Sequence, residues 1–251
     1  MTTIVSPSII HGTLTAPASK SSMQRACAAA LLHKGTTHIY NAGISNDDKA
    51  ALDIIQQLGA TVHFRNDYIE IVSKGFGSAT SENKTINCGE SGLSIRMFSP
   101  IAALSSSIIN IVGEGSLQKR PMDFFDETFP QLEIEIISTE GKLPLQIKGP
   151  LQPKDITIDG SLSSQFLTGL LFAFGEAATE TATITVINLK SKPYIDLTLN
   201  VMENFGYEIV NDNYERFIIN PKVNKENEII KYTVEGDWSS RSEERRVGKE
   251  C

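Results

Sequence analysis

Apolar residues along this chain switch between two spacings, and the switching itself repeats. Met23, Ala26, Cys27, Ala30 and Leu31 fall at i, i+3, i+4, i+7 and i+8, the stripe of a half-buried helix, with Gly35 where a C-terminal cap belongs. Residues 37–40 read as a short strand. Ser45 and Asp48, in capping-box spacing, open a second helix that carries Ala51, Ile54, Ile55 and Leu58 on one face and stops at Gly59. Residues 61–64 and 68–72 then close as a hairpin around Arg65, Asn66 and Asp67.

The same order recurs. Ser19, Ser91 and Ser163 each stand where a helix opens, at an interval of 72 residues, and Leu14, Ile86, Ile158 and Ile230 open the preceding strands at the same interval. The second unit has Ile95, Phe98 and Ala102 in its first helix, Pro121 just inside the start of its second, and strands near 133–137 and 144–147. The third has Phe166, Leu170 and Phe172 in its first helix, Ser191 and Pro193 at the start of its second, Gly206 at its end, and residues 207–210 answering 61–64. A fourth unit begins at 230–234 and reaches residues 236–240, where a helix should open, and there the pattern fails.

Each unit therefore reads strand, helix, strand, helix, strand, strand. Three such units bury their apolar faces best against one another. The expectation is an α+β (α/β repeat) domain with pseudo-threefold symmetry and helices in its interior. Its bounds are 13–235, with 1–12 a strand belonging to an otherwise missing second domain and 236–240 the start of that domain. Residues 241–251 carry seven charges in eleven positions and no apolar stripe, so they read as an unrelated tail or a solvated extension.

Composition narrows the function classes. At 251 residues and 40% hydrophobic content the chain can bury a sizeable core. No run approaches the roughly 18 apolar residues of a membrane span, and residues 1–10 lack a basic segment followed by an apolar one, so the cytoplasm is the default location. Cys27, Cys88 and Cys251 form no CxxC pair, and His11, His33, His38 and His63 are scattered, so reduced thiols and no metal are expected. A net charge of −7 disfavours nucleic acid. It leaves room for a local cationic cleft that binds a small dianion.

Candidates for that cleft lie at the helix openings, where free backbone N–H groups attract anions. The first group is Ser19, Lys20, Ser21 and Arg25; the second is Glu90, Ser91, Gly92 and Arg96; the third is Ser163, Ser164 and Gln165. Arg120 stands before Pro121, and Ser191 with Lys192 before Pro193. Taken singly, a serine at a helix start is more often a plain cap, and a lone Lys or Arg a solvated charge. The combination carries the signal, because cations at helix starts oppose the macrodipole and an anionic ligand offsets that cost.

Four runs at these positions are Pro17-Ala18-Ser19-Lys20-Ser21 with Arg25; residues 113–122, Gly-Glu-Gly-Ser-Leu-Gln-Lys-Arg-Pro-Met; residues 159–167 around Ser163-Ser164-Gln165; and Ser191-Lys192-Pro193-Tyr194-Ile195-Asp196. In this order they resemble the EPSP synthase (3-phosphoshikimate 1-carboxyvinyltransferase) family of enolpyruvyl transferases. The resemblance spans roughly residues 8 to 240, with Glu235-Gly236-Asp237 and Ser239-Ser240 included. It implies transfer of an enolpyruvyl group from phosphoenolpyruvate to the 5-hydroxyl of shikimate 3-phosphate, a step of aromatic amino acid biosynthesis, without metal or organic cofactor. Lys20, the implied catalytic residue, would touch both substrates, as would Gln165. Ser21, Arg25, Ser163, Ser164, Ser191 and Tyr194 would hold shikimate 3-phosphate, and Gly92 and Arg120 phosphoenolpyruvate.

Glu90 and Leu93 depart from the Asn and Thr usual in the family, which leaves phosphoenolpyruvate affinity open. The family enzyme also closes two such domains on its substrates, and the second supplies a base and further cations. The isolated chain is therefore expected to turn over little. One alternative is the related transferase acting on UDP-N-acetylglucosamine, which would have Asn after the first lysine and commonly a Cys before the Arg-Pro pair. Here Ser21 and residues 115–119 stand instead. The other alternative is a non-catalytic half that only binds phosphorylated metabolites.

Overall fold

The structure, a computed structural model, describes residues 15–76, 82–222 and 228–237. The first unit contains α1 (Lys20–Leu32), β1 (Lys34–Tyr40), α2 (Asn46–Gln57), β2 (Thr61–Phe64) and β3 (Tyr68–Lys74). The second contains β4 (Lys84–Asn87), α3 (Gly92–Ala102), β5 (Ile109–Val112), α4 (Asp123–Thr128), β6 (Glu135–Thr139) and β7 (Lys142–Lys148). The third contains β8 (Ile156–Asp159), α5 (Ser164–Ala177), β9 (Ala182–Ile187), α6 (Lys192–Asn204), β10 (Ile209–Asp212) and β11 (Arg216–Ile219), and β12 (Ile229–Thr233) follows.

Three four-stranded sheets share one strand order, β12-β1-β3-β2, β4-β5-β7-β6 and β8-β9-β11-β10. In each, the first two strands run parallel and the others antiparallel. The expected threefold repeat is present, with one change at the seam. Residues 230–234 do not open a fourth unit: β12 pairs with β1, Ile230 opposite Thr37, in the place that β4 and β8 hold in their own sheets. Without it the inner edge of β1 would keep unpaired N–H and C=O groups. The returning strand thus closes the ring, and Leu14, the expected first strand residue, lies outside the described residues together with 1–12 and 238–251.

The first helices of the three units pack together at the centre. The stripe on α1 predicts a half-buried helix, but Met23 and residues 26–32 are all buried, as are Ser22, Gln24 and Arg25. The reason lies in its alanines: side chains that short let neighbours approach α1 from every side, so no face is left to water. α5 approaches α3 as closely at Gly169, where a Cβ would come 2.6 Å from the Arg96 carbonyl oxygen and 2.9 Å from Met97 Cα. Phe166 of α5 stacks on Phe124 at 4.3 Å between centroids, carrying the contact out to α4.

Local signals hold where hydrogen bonds satisfy helix ends. Ser45 and Asp48 form a reciprocal capping box, and Gly59 follows α2 at φ +115. Several boundaries differ. α1 is capped at His33, and Gly35 already belongs to β1. Pro121 precedes α4 rather than opening it, because Met122 N–H is held by the Gly141 carbonyl and the helix starts only at Asp123. The strands expected at 133–137 and 207–210 start two residues later, the first because Glu133 turns left-handed at φ 62.

Candidate functional site

The three serines spaced by 72 residues are all N-caps. Ser19 Oγ accepts from Ser22 N–H at 3.3 Å, Ser91 Oγ from Ser94 N–H at 3.1 Å, and Ser163 Oγ from Gln165 N–H at 3.2 Å. Because the units are related by the same symmetry, the three openings point toward one end of the domain, and side chains tie them together there. Ser91 and Ser94 hydroxyls both donate to Gln24 Oε1 at 2.9 Å, joining α3 to α1. Arg96 Nη1 donates to Gln165 Oε1 at 2.9 Å, joining α3 to α5.

The second opening concentrates positive charge. A Cβ on Gly92 would come 2.6 Å from Arg120 Nη1 and 3.0 Å from Arg96 Nη1, so any side chain there would displace the guanidinium ends from the start of α3. Burial, and then the Arg120 charge, hold Arg96 below the ordinary guanidinium value. Arg96 Nε is buried without a hydrogen-bond partner among the described residues. Arg120 is exposed and donates to Ser116 Oγ at 3.2 Å. Among the described residues no carboxylate lies within ion-pair distance of either arginine. Glu90 is exposed, its carboxylate set against Gly115 Cα.

At the first opening Ser19 and Ser21 face Pro193, Tyr194, Glu235 and Asp237 across an open cleft of about 410 Å³. Lys20 reaches Asp47 at 3.1 Å on the surface, a weak exposed pair that a stronger anion can displace. Arg25 is placed differently from its sequence neighbours. It is 1% exposed, and donates to Thr198 Oγ1 at 2.8 Å, the Ser21 carbonyl at 2.7 Å, the Tyr194 carbonyl at 3.3 Å and Thr168 Oγ1 at 3.4 Å. Burial lowers it to about 10, with the nearby Tyr194 and Tyr232 oxygens pulling the other way. In this arrangement it braces α1 against α5 and α6 and does not line the cleft.

At the third opening Ser164 is buried, and its carbonyl accepts from Thr168 Oγ1 at 3.2 Å. Ser191 takes a left-handed backbone at φ 59, and its side chain makes no cap hydrogen bond, unlike Ser19, Ser91 and Ser163. Lys192 lies over the Tyr214 ring at 4.8 Å, and Tyr194 is 42% exposed at the cleft wall. Gln24, Thr198 and the two carboxylates of Glu235 and Asp237 are absent from the sequence-based candidates. Gln24 had one available signal: it lies one turn beyond Lys20 on the same helix. Burial pushes the Cys27 and Cys88 thiols far up, Cys27 further through Asp48, so neither is a nucleophile near neutral pH. Among the described residues no three His, Cys, Asp or Glu gather as a metal site, and no helix is long and apolar enough to cross a membrane.

Comparisons with known proteins bear on the family and the fold. The 3-phosphoshikimate 1-carboxyvinyltransferase of Clostridium beijerinckii is 37% identical over 238 residues, covering 93% of this chain and 54% of that protein. The Clostridioides difficile protein of the same name is 36% identical over 241 residues, with 93% and 55% covered. The chain thus spans about half the length of the curated relatives it matches. The solved EPSP synthase of Acinetobacter baumannii superposes with a TM-score of 0.77 at 24% identity, over 91% of this chain and 51% of that one, which shows a shared fold. Residues 4–243 match the family described as EPSP synthase (3-phosphoshikimate 1-carboxyvinyltransferase), and with that match the chain belongs to this family.

Proposed function

We propose that this chain forms the phosphate-holding lobe of an enzyme that moves the enolpyruvyl group of phosphoenolpyruvate onto the 5-hydroxyl of shikimate 3-phosphate. One observation carries the reading: Arg96 and Arg120 face each other at Gly92 with no carboxylate among the described residues to neutralise them. Like charges held together in a partly desolvated place call for an anion between them.

In this reading Gly92 and Arg120 take the phosphate of phosphoenolpyruvate. Ser21, Ser163, Ser164, Ser191 and Tyr194 take shikimate 3-phosphate, while Lys20 and Gln165 reach both substrates. Arg25 serves from behind by fixing the carbonyls of Ser21 and Tyr194. The 5-hydroxyl gives up its proton as its oxygen bonds to the central carbon of phosphoenolpyruvate, whose methylene takes a proton; the tetrahedral adduct then loses a methyl proton and phosphate to restore the double bond. Cations fixed beforehand around both phosphates supply orientation and charge stabilisation. We assign residues 13–235 to one lobe and place the work in the cytoplasm. A second lobe, as in the family, would complete the site, so the 251-residue chain binds ligand while turning over little.

Calorimetric titration tests this. Shikimate 3-phosphate is expected to bind the 251-residue chain, more tightly with phosphoenolpyruvate present. Preference for UDP-N-acetylglucosamine, or phosphate release by the isolated chain at the rate of full-length relatives, would contradict the corresponding part of the assignment.

A further inference from the structure

We propose that Gln24 is a positioning residue that sets the spacing between the two ligand-holding helix openings, those of α1 and α3. This rests on the functional reading above. Gln24 is 2% exposed and is not among the residues lining the cleft between Ser21 and Tyr194, yet its amide is the point where the two openings meet. Its Oε1 accepts from both Ser91 and Ser94 hydroxyls at 2.9 Å, and its Nε2 donates back to the Lys20 carbonyl at 3.3 Å. Ser91 is the α3 cap beside Gly92, and Lys20 is the first residue of α1. One planar amide therefore holds the backbone of the shikimate 3-phosphate side and the cap of the phosphoenolpyruvate side in a single buried network. Ser94, fully buried, has a side chain whose one described hydrogen bond goes to Gln24.

A planar group with three bonds to two helices fixes both distance and angle, which an apolar contact of the same volume does not. The spacing it sets decides whether a hydroxyl held at one opening lies within reach of a carbon held at the other, and small misplacements there are costly. Arg96 with Gln165 does the corresponding work between α3 and α5, but Arg96 also faces the ligand side. Gln24 is separate from ligand contact, so its contribution is to geometry.

The test compares the 251-residue protein with Gln24→Met, Ser94→Ala and the double variant. Shikimate 3-phosphate or phosphoenolpyruvate alone is expected to bind Gln24→Met within about threefold of the parent. The tightening of one ligand by the other is expected to fall about tenfold, and Ser94→Ala added to Gln24→Met to lower it no further. A lesion that merely loosens the fold would weaken both ligands alike, would add to Ser94→Ala, and would overturn the inference. So would an unchanged tightening. Amide hydrogen exchange without ligand gives an independent arm: protection at 20–24 and 92–96 is expected to drop together in Gln24→Met, with 164–168 unchanged. A change confined to α1, or none, overturns the positioning role even if the parent binds neither substrate; failure of the parent to bind, with the paired drop present, overturns the functional reading instead.

Discussion

Arg96 and Gln165 come from different repeats, yet their side chains meet at 2.9 Å, and the Arg96 guanidinium also lies 5.1 Å from the ring centre of Phe166. One arginine of α3 is thereby fixed on two consecutive residues of α5. Its other side is left toward Arg120 and Gly92.

Replacing Arg120 separates binding from folding. Arg120→Ala removes an exposed cation whose described side-chain bond goes to Ser116, so thermal stability should stay within about 0.5 kcal/mol of the parent. Phosphoenolpyruvate binding should weaken roughly 10- to 100-fold, the value of one charge-assisted hydrogen bond. Calorimetry alongside a melting curve checks both parts.

Gly169→Ala links packing to the site. Its Cβ would press on the Arg96 carbonyl and Met97 Cα, backbone atoms that cannot turn aside. Parting α3 from α5 should cost about 1–3 kcal/mol in denaturant unfolding. The same shift should loosen the Arg96–Gln165 bond and weaken phosphoenolpyruvate binding beyond the loss of folded protein.

Arg25→Leu tests the internal brace. The variant loses four hydrogen bonds from a side chain that is 1% exposed, including those to the Ser21 and Tyr194 carbonyls. A loss of about 2–4 kcal/mol is expected, measured by urea unfolding. A surface arginine would show almost none.

Far from the site, Glu176 at the end of α5 accepts from Tyr207 Oη at 2.9 Å and lies 3.4 Å from Lys222 Nζ, which in turn covers the Tyr207 ring at 3.9 Å. Burial raises the Glu176 carboxyl above its ordinary 4.5, with the Lys222 charge and the Tyr207 bond opposing. The folded protein therefore holds this proton more tightly than the unfolded chain does. The stabilisation is fully present below pH 4.5 and is lost as pH rises through the raised value. Glu176→Gln should lack that slope, so the parent loses stability relative to the variant as pH rises above 4.5. Lys222→Met alone should cost about 2 kcal/mol by stranding the carboxylate, while the double variant should return to within about 1 kcal/mol of the parent.

The repeat was legible because caps and strand openings are local events. Ser19, Ser91 and Ser163 do the same job at the same interval, and the capping box at Ser45 needs only its own next turn. What escaped was decided by partners distant in the chain. Ile230 shares its spacing with Ile86 and Ile158, but spacing alone does not tell that its sheet is the first one; the pairing with Thr37 does. Arg25 stands beside Lys20 and Ser21 in the chain, and its bonds to Thr198 and to the Tyr194 carbonyl on α6 come from residues far along the sequence. Gln24 went unnoticed for the same reason, since its partners Ser91 and Ser94 lie about one repeat away.

The most direct measurement is a backbone amide chemical-shift map of the 251-residue protein titrated with shikimate 3-phosphate. Saturable shifts are expected together at Lys20 and Ser21, at Ser163 to Gln165, and at Tyr194, with residues around Gly92 responding once phosphoenolpyruvate is added. Shifts confined to one helix opening, or none at concentrations that saturate full-length relatives, would contradict the claim that the three repeats converge on one ligand.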